Sequence, residues 1–208
     1  MRRVNMAMHT YDEVYSKPEF YWGMEPNNLC KRTVDLLVPD IKGKVVDLGC
    51  GEGKDVIHFA RHGFNAVGVD LSEPGLQKAL QWAKQEGLEI KTVQASLNEF
   101  TLTEMFDVVY SSGTLTYISP TLRKDKFMNY KEHTNVGGLN VFNVFVEKPF
   151  IETAPDWGTD EYFYRSGDLL NFYWDWEIIS FEEFIFDCNS SGVPHKHAMD
   201  VMIAKKIK

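Results

Sequence analysis

The stretch Val45-Val46-Asp47-Leu48-Gly49-Cys50-Gly51-Glu52-Gly53 constrains this chain more than any other. An apolar run closed by glycines at alternate positions reads as a buried strand, a tight turn and the start of a helix. Glycines there let the backbone turn sharply and let a ligand approach it closely. A second apolar run, Ala66-Val67-Gly68-Val69, closes on Asp70, where a carboxylate could grip a ribose. This is the wiring of a nucleotide-binding α/β unit.

The rest of the chain extends that unit. Pro26 opens a helix expected through Val38, stopped by Pro39. Lys44–Leu48 is the first strand, and a helix over about 54–62 ends at Gly63. Asn65–Asp70 is the second strand. Ser72 is an N-cap with Glu73 and Pro74 in the first turn, and that helix stops at Gly87. Strands follow over 89–95 and 106–111. A helix over 120–134 and a turn at Asn135-Val136-Gly137-Gly138 lead to a strand over 139–146. The end of the chain breaks this alternation. Two strand-like runs, 177–187 and 195–205, are joined by Asn189-Ser190-Ser191-Gly192, which is hairpin chemistry. The expected fold is α/β: a Rossmann-like, seven-stranded, mostly parallel sheet with helices on both faces and a C-terminal antiparallel hairpin. We read one domain over 1–208, with an aromatic arm or lid at 1–28 and a substrate cover at 147–176.

Such a hairpin departs from the usual dinucleotide-binding arrangement. With the glycine turn and Asp70 it points to S-adenosylmethionine (SAM) as cofactor and S-adenosylhomocysteine as product. Ligands in these sheets bind beyond the carboxyl ends of the strands. Gly49, Gly51 and Gly53, with Cys50 among them, would approach the cofactor. Asp47 would orient the turn or meet the methionyl ammonium through water. Asp70 would take both ribose hydroxyls, and Leu71 would pack on adenine. A plainer reading leaves the glycines as tight-turn residues only.

The motifs Val-Val-Asp-Leu-Gly-Cys-Gly-Glu-Gly and Val-Gly-Val-Asp-Leu-Ser resemble those of class I SAM-dependent methyltransferases, over about residues 30–206. Tyr21-Trp22-Gly23-x-x-Pro26-Asn27, Gly63-Phe64-x-Ala66 and the short hairpin resemble the tellurite-resistance and thiopurine methyltransferase-like branch. The resemblance implies that Ser96 and Leu97 meet adenine, with Ser96 standing where an Asp is common. It implies that a carbonyl of Ser111 or Ser112 faces the methionyl ammonium, and that Thr114 and Tyr117 border the transferred methyl group as the catalytic candidates. Tyr117 is alternatively an ordinary helix-entry aromatic. Tyr21 and Trp22 would close over the cofactor, with Tyr11 or Tyr15 reaching its carboxylate, or else all four dock the arm on the core. In the cover, Phe163 and Arg165 are the substrate candidates, and the aromatics around 166–174 are core. Tellurite-type members carry a His-Arg pair on the penultimate strand. The nearest stretch here, Phe184-Ile185-Phe186-Asp187, has neither, which weighs against oxyanion chemistry.

A methyl transfer needs little acid–base machinery when the acceptor is soft, such as a sulfur, selenium or tellurium nucleophile. A harder acceptor needs a base, for which Tyr117, Glu147 and Asp156 are the options. No metal is expected. His58 and His62 lie on a solvated helix face, and His195 and His197 share a strand face with no Cys or acidic partner evident in the sequence. Cys50 reads as a small buried side chain. The net charge of −8 disfavours a nucleic-acid partner. The three separated cysteines form no disulfide or zinc pattern, and no apolar run is long enough to span a membrane. A cytoplasmic monomer or homodimer acting on a small molecule is expected. The alternatives are a SAM-binding protein without turnover and a nicotinamide-dependent reductase.

Overall fold

The computed structural model describes residues 6–37, 43–154, 157–158, 160–189 and 192–208. Its seven strands form one sheet in the order β3-β2-β1-β4-β5-β7-β6. The strands are β1 (Lys44–Leu48), β2 (Asn65–Asp70), β3 (Ile90–Gln94), β4 (Phe106–Ser112), β5 (Thr134–Val146), β6 (Glu177–Cys188) and β7 (His195–Lys205). The first five run parallel, and β7 pairs antiparallel with both β5 and β6. The helices are α1 (Met6–Tyr15), α2 (Asn28–Leu37), α3 (Lys54–Arg61), α4 (Glu73–Gln85), α5 (Arg123–Glu132) and α6 (Asp168–Tyr173). Among the described residues no helix is long and apolar enough to cross a membrane.

The period-two alternation of the central strands builds two cores, one on each face of the sheet. Val45, Val108, Tyr110, Val141 and Val201 pack with Phe59 and Val34 on one side. Val46, Leu48, Val109, Phe142 and Met202 pack with Phe127 and Tyr173 on the other. A sheet covered on both faces explains why β1 and β5 are apolar nearly throughout.

Three local expectations change. The arm contains a helix, α1, where aromatic content alone had suggested no element. The helix expected from Pro120 begins at Arg123, after a turn closed by Leu122 N–H donating to Ser119 O at 2.9 Å. The turn expected at 135–138 lies inside β5. Phe106 pairs with Thr134 but Val108 pairs with Leu139, so the extra residues bulge, with Gly137 at φ +84°. Val38, Pro39, Ser190 and Ser191 lie outside the described residues.

Candidate active site at the carboxyl ends of the strands

The glycine turn is built by backbone geometry. Gly49, Gly51 and Gly53 have φ of +83°, +53° and +89°, values that side chains rarely adopt. A Cβ on Gly49 would lie 2.2 Å from Thr114 Oγ1, and one on Gly51 would lie 2.9 Å from Tyr15 Oη. The turn is anchored by Gly49 and Cys50 N–H groups donating to Val69 O. Cys50 fills the space beside Gly68, whose added Cβ would meet Cys50 Sγ at 2.7 Å. Burial pushes its thiol well up, so it is a packing group and not a nucleophile.

Asp70 faces this turn. Gly51 N–H donates to Oδ2 and Ser72 N–H to Oδ1, each at 2.8 Å. These bonds fix the carboxylate's orientation. Each oxygen keeps a second acceptor position, so the pair suits a vicinal diol. Burial raises its pKa, and the backbone N–H groups of Ser72, Gly51 and Leu71 oppose the rise. Leu71 is partly exposed next to it.

Behind the turn lies a buried acidic group. Asp47 and Asp55 are both buried. Burial pushes the Asp47 carboxyl well above its ordinary range, Asp55 and Asp70 push further, and Lys54 opposes. Asp55 accepts from Asn27 N–H at 2.8 Å, Asn27 Nδ2 at 2.7 Å and Tyr110 Oη at 2.9 Å. Asn27 Nδ2 and Asn143 Nδ2 also reach Ser112 Oγ, both at 3.1 Å. Three carboxyls converging beneath a glycine turn favour a cationic ligand above it. A zwitterionic sulfonium with an amino group and a ribose fits this donor and acceptor set.

After β4 the chain turns back over Gly49. Thr114 Oγ1 donates to Leu48 O at 2.8 Å, and the fully buried Ser111 Oγ donates to the same carbonyl at 2.7 Å. Both hydroxyls are therefore engaged in the scaffold. A short 3₁₀ turn, Leu115–Tyr117, follows. Tyr117 Oη lies 3.4 Å from Tyr11 Oη and 3.2 Å from Glu161 Oε1, and its one proton can go to either. Burial, then Tyr11 and Glu161, push its phenol far up, so it holds its proton and serves as a donor. Ser96 Oγ accepts from Asn98 N–H at 3.3 Å, while Leu97 is buried in the core on the α5 face.

The arm sits over the turn through Tyr15. Trp22 is 48% exposed, and its Nε1 donates to Tyr15 Oη at 3.1 Å. Trp22 thus braces Tyr15, which is the residue against Gly51. Three anchors escaped the sequence reading. Glu52, buried, accepts from Tyr21 N–H at 2.7 Å and from Lys78 Nζ at 2.6 Å. Asn98 bonds Tyr117 O and Ser119 N–H at 2.9 and 2.8 Å. Arg123 lies 3.6 Å over the Tyr164 ring and donates to the Tyr162 and Phe163 carbonyls. Glu52 was legible only as a member of the glycine motif. The other two join residues far apart in the chain and left no local signal.

The cover closes against β5 by a bridge between Val146 and Tyr164. Phe163 stacks on Trp157 with centroids 4.0 Å apart. Trp157 in turn meets Phe145 and His197. Phe145 lies 3.6 Å from where a Gly113 Cβ would stand, so this aromatic wall is continuous with the end of β4. Arg165 is exposed, with its backbone tied to Asp168. The aromatics of α6 itself are core: Tyr173 is fully buried and accepts from Asn140, and Phe172 stacks on Phe127. Trp174, just past the helix, is 82% exposed, so the core expectation for 166–174 fails there. Glu147 N–H donates to Tyr164 O. Asp156 lies outside the described residues. His58 and His62 are neighbours on the outer side of α3, with centroids 4.4 Å apart. The sequence showed no cysteine for the His195–His197 pair. The hairpin register supplies one, because Cys188 is paired directly opposite His195.

The family model described as "Tellurite resistance protein TehB" matches residues 24–192. A curated relative named "Probable S-adenosyl-L-methionine-dependent methyltransferase TehB", from Haemophilus influenzae, is 26% identical over 171 residues. That match covers 81% of this chain and 59% of the relative, so the chain spans somewhat over half of that protein's length. The crystal structure of TehB from Haemophilus influenzae superposes with a TM-score of 0.75 at 24% identity, covering 85% of this chain and 62% of that one. The N-methyltransferase NodS from Bradyrhizobium japonicum, solved with S-adenosylhomocysteine, superposes with a TM-score of 0.73 at 13% identity over 98% of this chain and 100% of that one. These likenesses agree with a Rossmann-like methyltransferase fold, and the match over residues 24–192 places the chain in the TehB family.

Proposed function

We propose that this chain is a SAM-dependent methyltransferase acting on a small-molecule acceptor, and that the acceptor is a soft nucleophile. The observation that carries the cofactor half of this reading is the run of three left-handed glycines facing an Asp70 carboxylate held by two backbone N–H groups. The family membership supports it, as does the cofactor named for the relative.

In this reading Asp70 binds the ribose hydroxyls, and Leu71, Ser96 and Leu97 border the adenine. The acids Asp47 and Asp55 favour the cationic end, beside the Ser111 and Ser112 backbone. Tyr15, Trp22 and Tyr117 exclude water from above. Phe163 belongs to the aromatic wall beside the acceptor, and Arg165 to its rim. The cofactor supplies a methyl group on a cationic sulfur: the acceptor's lone pair forms the new bond to carbon, and sulfur keeps the electrons of the broken one. The protein's task is to hold the acceptor in line, about 3–3.5 Å from the methyl carbon.

The soft acceptor is inferred from the protonation states around the site. Thr114 and Ser111 are bonded to Leu48 O, and the Tyr117 phenol holds its proton. None of these groups is set up to deprotonate an alcohol or an ammonium. A thiolate or a selenium or tellurium nucleophile needs no such help. Methyl-labelled SAM offered with thiols, selenols, amines and phenols tests this. Label should move to a thiol or selenol. Transfer confined to amines or phenols would contradict the soft acceptor. Tight SAM binding with no transfer to any of them would favour a SAM-binding protein without turnover.

A further inference from the structure

The loop end of the β6–β7 hairpin brings together Cys188, His195 and His197, which no part of the proposed reaction uses. One ligand atom from each, the thiol sulfur and two imidazole nitrogens, lie within 4.8 Å of one another. Their placement follows from register. Cys188 pairs with His195 and Phe186 with His197, so the period of two puts all four side chains on one face of the sheet. From these observations we infer that Cys188, His195 and His197 form a binding site for a thiophilic divalent cation, Zn²⁺ being the natural occupant.

Three features favour a site over a chance cluster. First, the ligand set is a thiolate with two imidazoles, which suits zinc, and three protein ligands leave a fourth position for water or another ligand. Second, the spacing is close to that of a tetrahedral ion. Zinc bonds of about 2.0–2.1 Å to nitrogen and about 2.3 Å to sulfur put ligand atoms roughly 3.3–3.6 Å apart. The two imidazole Nε2 atoms are 2.9 Å apart, and small movements admit the ion. Third, the rings are oriented. His195 Nδ1 lies 2.7 Å from Val193 O, and a carbonyl can only accept. Nδ1 therefore carries the proton, so His195 Nε2 presents its lone pair and accepts from His197 Nε2–H at 2.9 Å; an ion between them would replace that proton, His197 moving its N–H to Nδ1. His197 is buried and packed by Phe145, Trp157 and Phe186, which restricts its ring. A bound ion would clasp the hairpin beside the Trp157–Phe163 stack.

The test is titration of the reduced 208-residue chain with Co²⁺, a spectroscopic stand-in for Zn²⁺, followed by Zn²⁺ competition. The expected result is one equivalent bound, with visible bands of tetrahedral cobalt and a near-ultraviolet thiolate-to-cobalt band, all bleached by Zn²⁺. Cys188→Ser should abolish the thiolate band, and His195→Gln should weaken binding at least tenfold, with far-ultraviolet circular dichroism showing both variants folded. The double variant His58→Ala/His62→Ala should bind as wild type. No bands from the wild type would overturn the inference, as would bands that persist in Cys188→Ser or vanish in the His58/His62 variant. SAM affinity measured on the same samples reports on the cofactor site separately.

Discussion

The glycine turn after β1 and the aromatic cover after β5 both stand at carboxyl ends of strands, yet they are held in opposite ways. The turn is fixed by backbone: three positive φ angles, N–H groups bonded to Val69 O and to Asp70, and close contacts that forbid a Cβ. The cover is fixed by side chains from distant segments: the Arg123 guanidinium over Tyr164, Trp157 on Phe163, and His197 from β7. In the proposed reading, the backbone cradle would hold the shared cofactor and the side-chain wall would face the acceptor; a wall can be altered one residue at a time without disturbing the cradle, which would leave the acceptor free to vary.

The largest effect should come from breaking the cradle. Gly49→Ala puts a Cβ within 2.4 Å of three Thr114 side-chain atoms at a φ of +83°. Calorimetry should show SAM affinity lowered at least about 100-fold, or about 2.7 kcal/mol. Adding Thr114→Gly, which also removes the Thr114 Cβ at 2.4 Å, should recover part of it, since the clash is relieved but not the φ strain. Next comes the tie between arm and turn. Glu52→Gln removes the charge from a buried carboxylate paired with Lys78, at a cost of about 1–3 kcal/mol. Hydrogen exchange at the Tyr21 amide, which Glu52 holds at 2.7 Å, should speed by roughly tenfold, while amides of β5 and β7 stay protected.

The hairpin half should show its own signature in pH. Asp200 is buried opposite Glu183, and its carboxyl is pushed up to about 6, first by burial and then by Glu183, with Gly167 N–H opposing. The unfolded chain releases this proton near the ordinary value of 3.8, so between there and about 6 the folded state holds more protons. Stability from this group therefore falls as pH rises through that window. Thermal unfolding across it should show a flatter decline for Asp200→Asn; an identical slope would remove Asp200 as the cause. The smallest effect should be Tyr117→Phe. A phenol whose pKa is pushed far up acts as a donor, so turnover with a thiol acceptor should fall by less than about tenfold. A general base would cost about 10²–10⁴-fold.

The same contrast governs what could be read from the sequence. Each strand, helices α2 to α4, the antiparallel hairpin and the glycine turn were legible, because periodicity and turn chemistry are local. Asp70 was legible because an acid closing an apolar run has a fixed place in such units. The bulge in β5 was misread as a turn: Asn135 and Gly137 carry turn chemistry, and only pairing with Phe106 at Thr134 shows that the strand had already begun. Tyr21 and Trp22 were expected as the lid and Tyr11 or Tyr15 as a reach to the cofactor's carboxylate; in the structure Tyr15 covers Gly51, because helix α1 carries it there, and Trp22 is its brace. Cys188 and His197 share no sequence pattern. Only the hairpin register brings them together.

The most direct test of the cofactor site is calorimetric titration with SAM and S-adenosylhomocysteine of the wild type and of Asp70→Ala. The account predicts micromolar binding by the wild type and at least a tenfold loss, about 1.4 kcal/mol, in the folded variant. No binding by folded wild type, or equal binding by Asp70→Ala, would contradict the assignment of the glycine turn and Asp70 as the place where the cofactor is held.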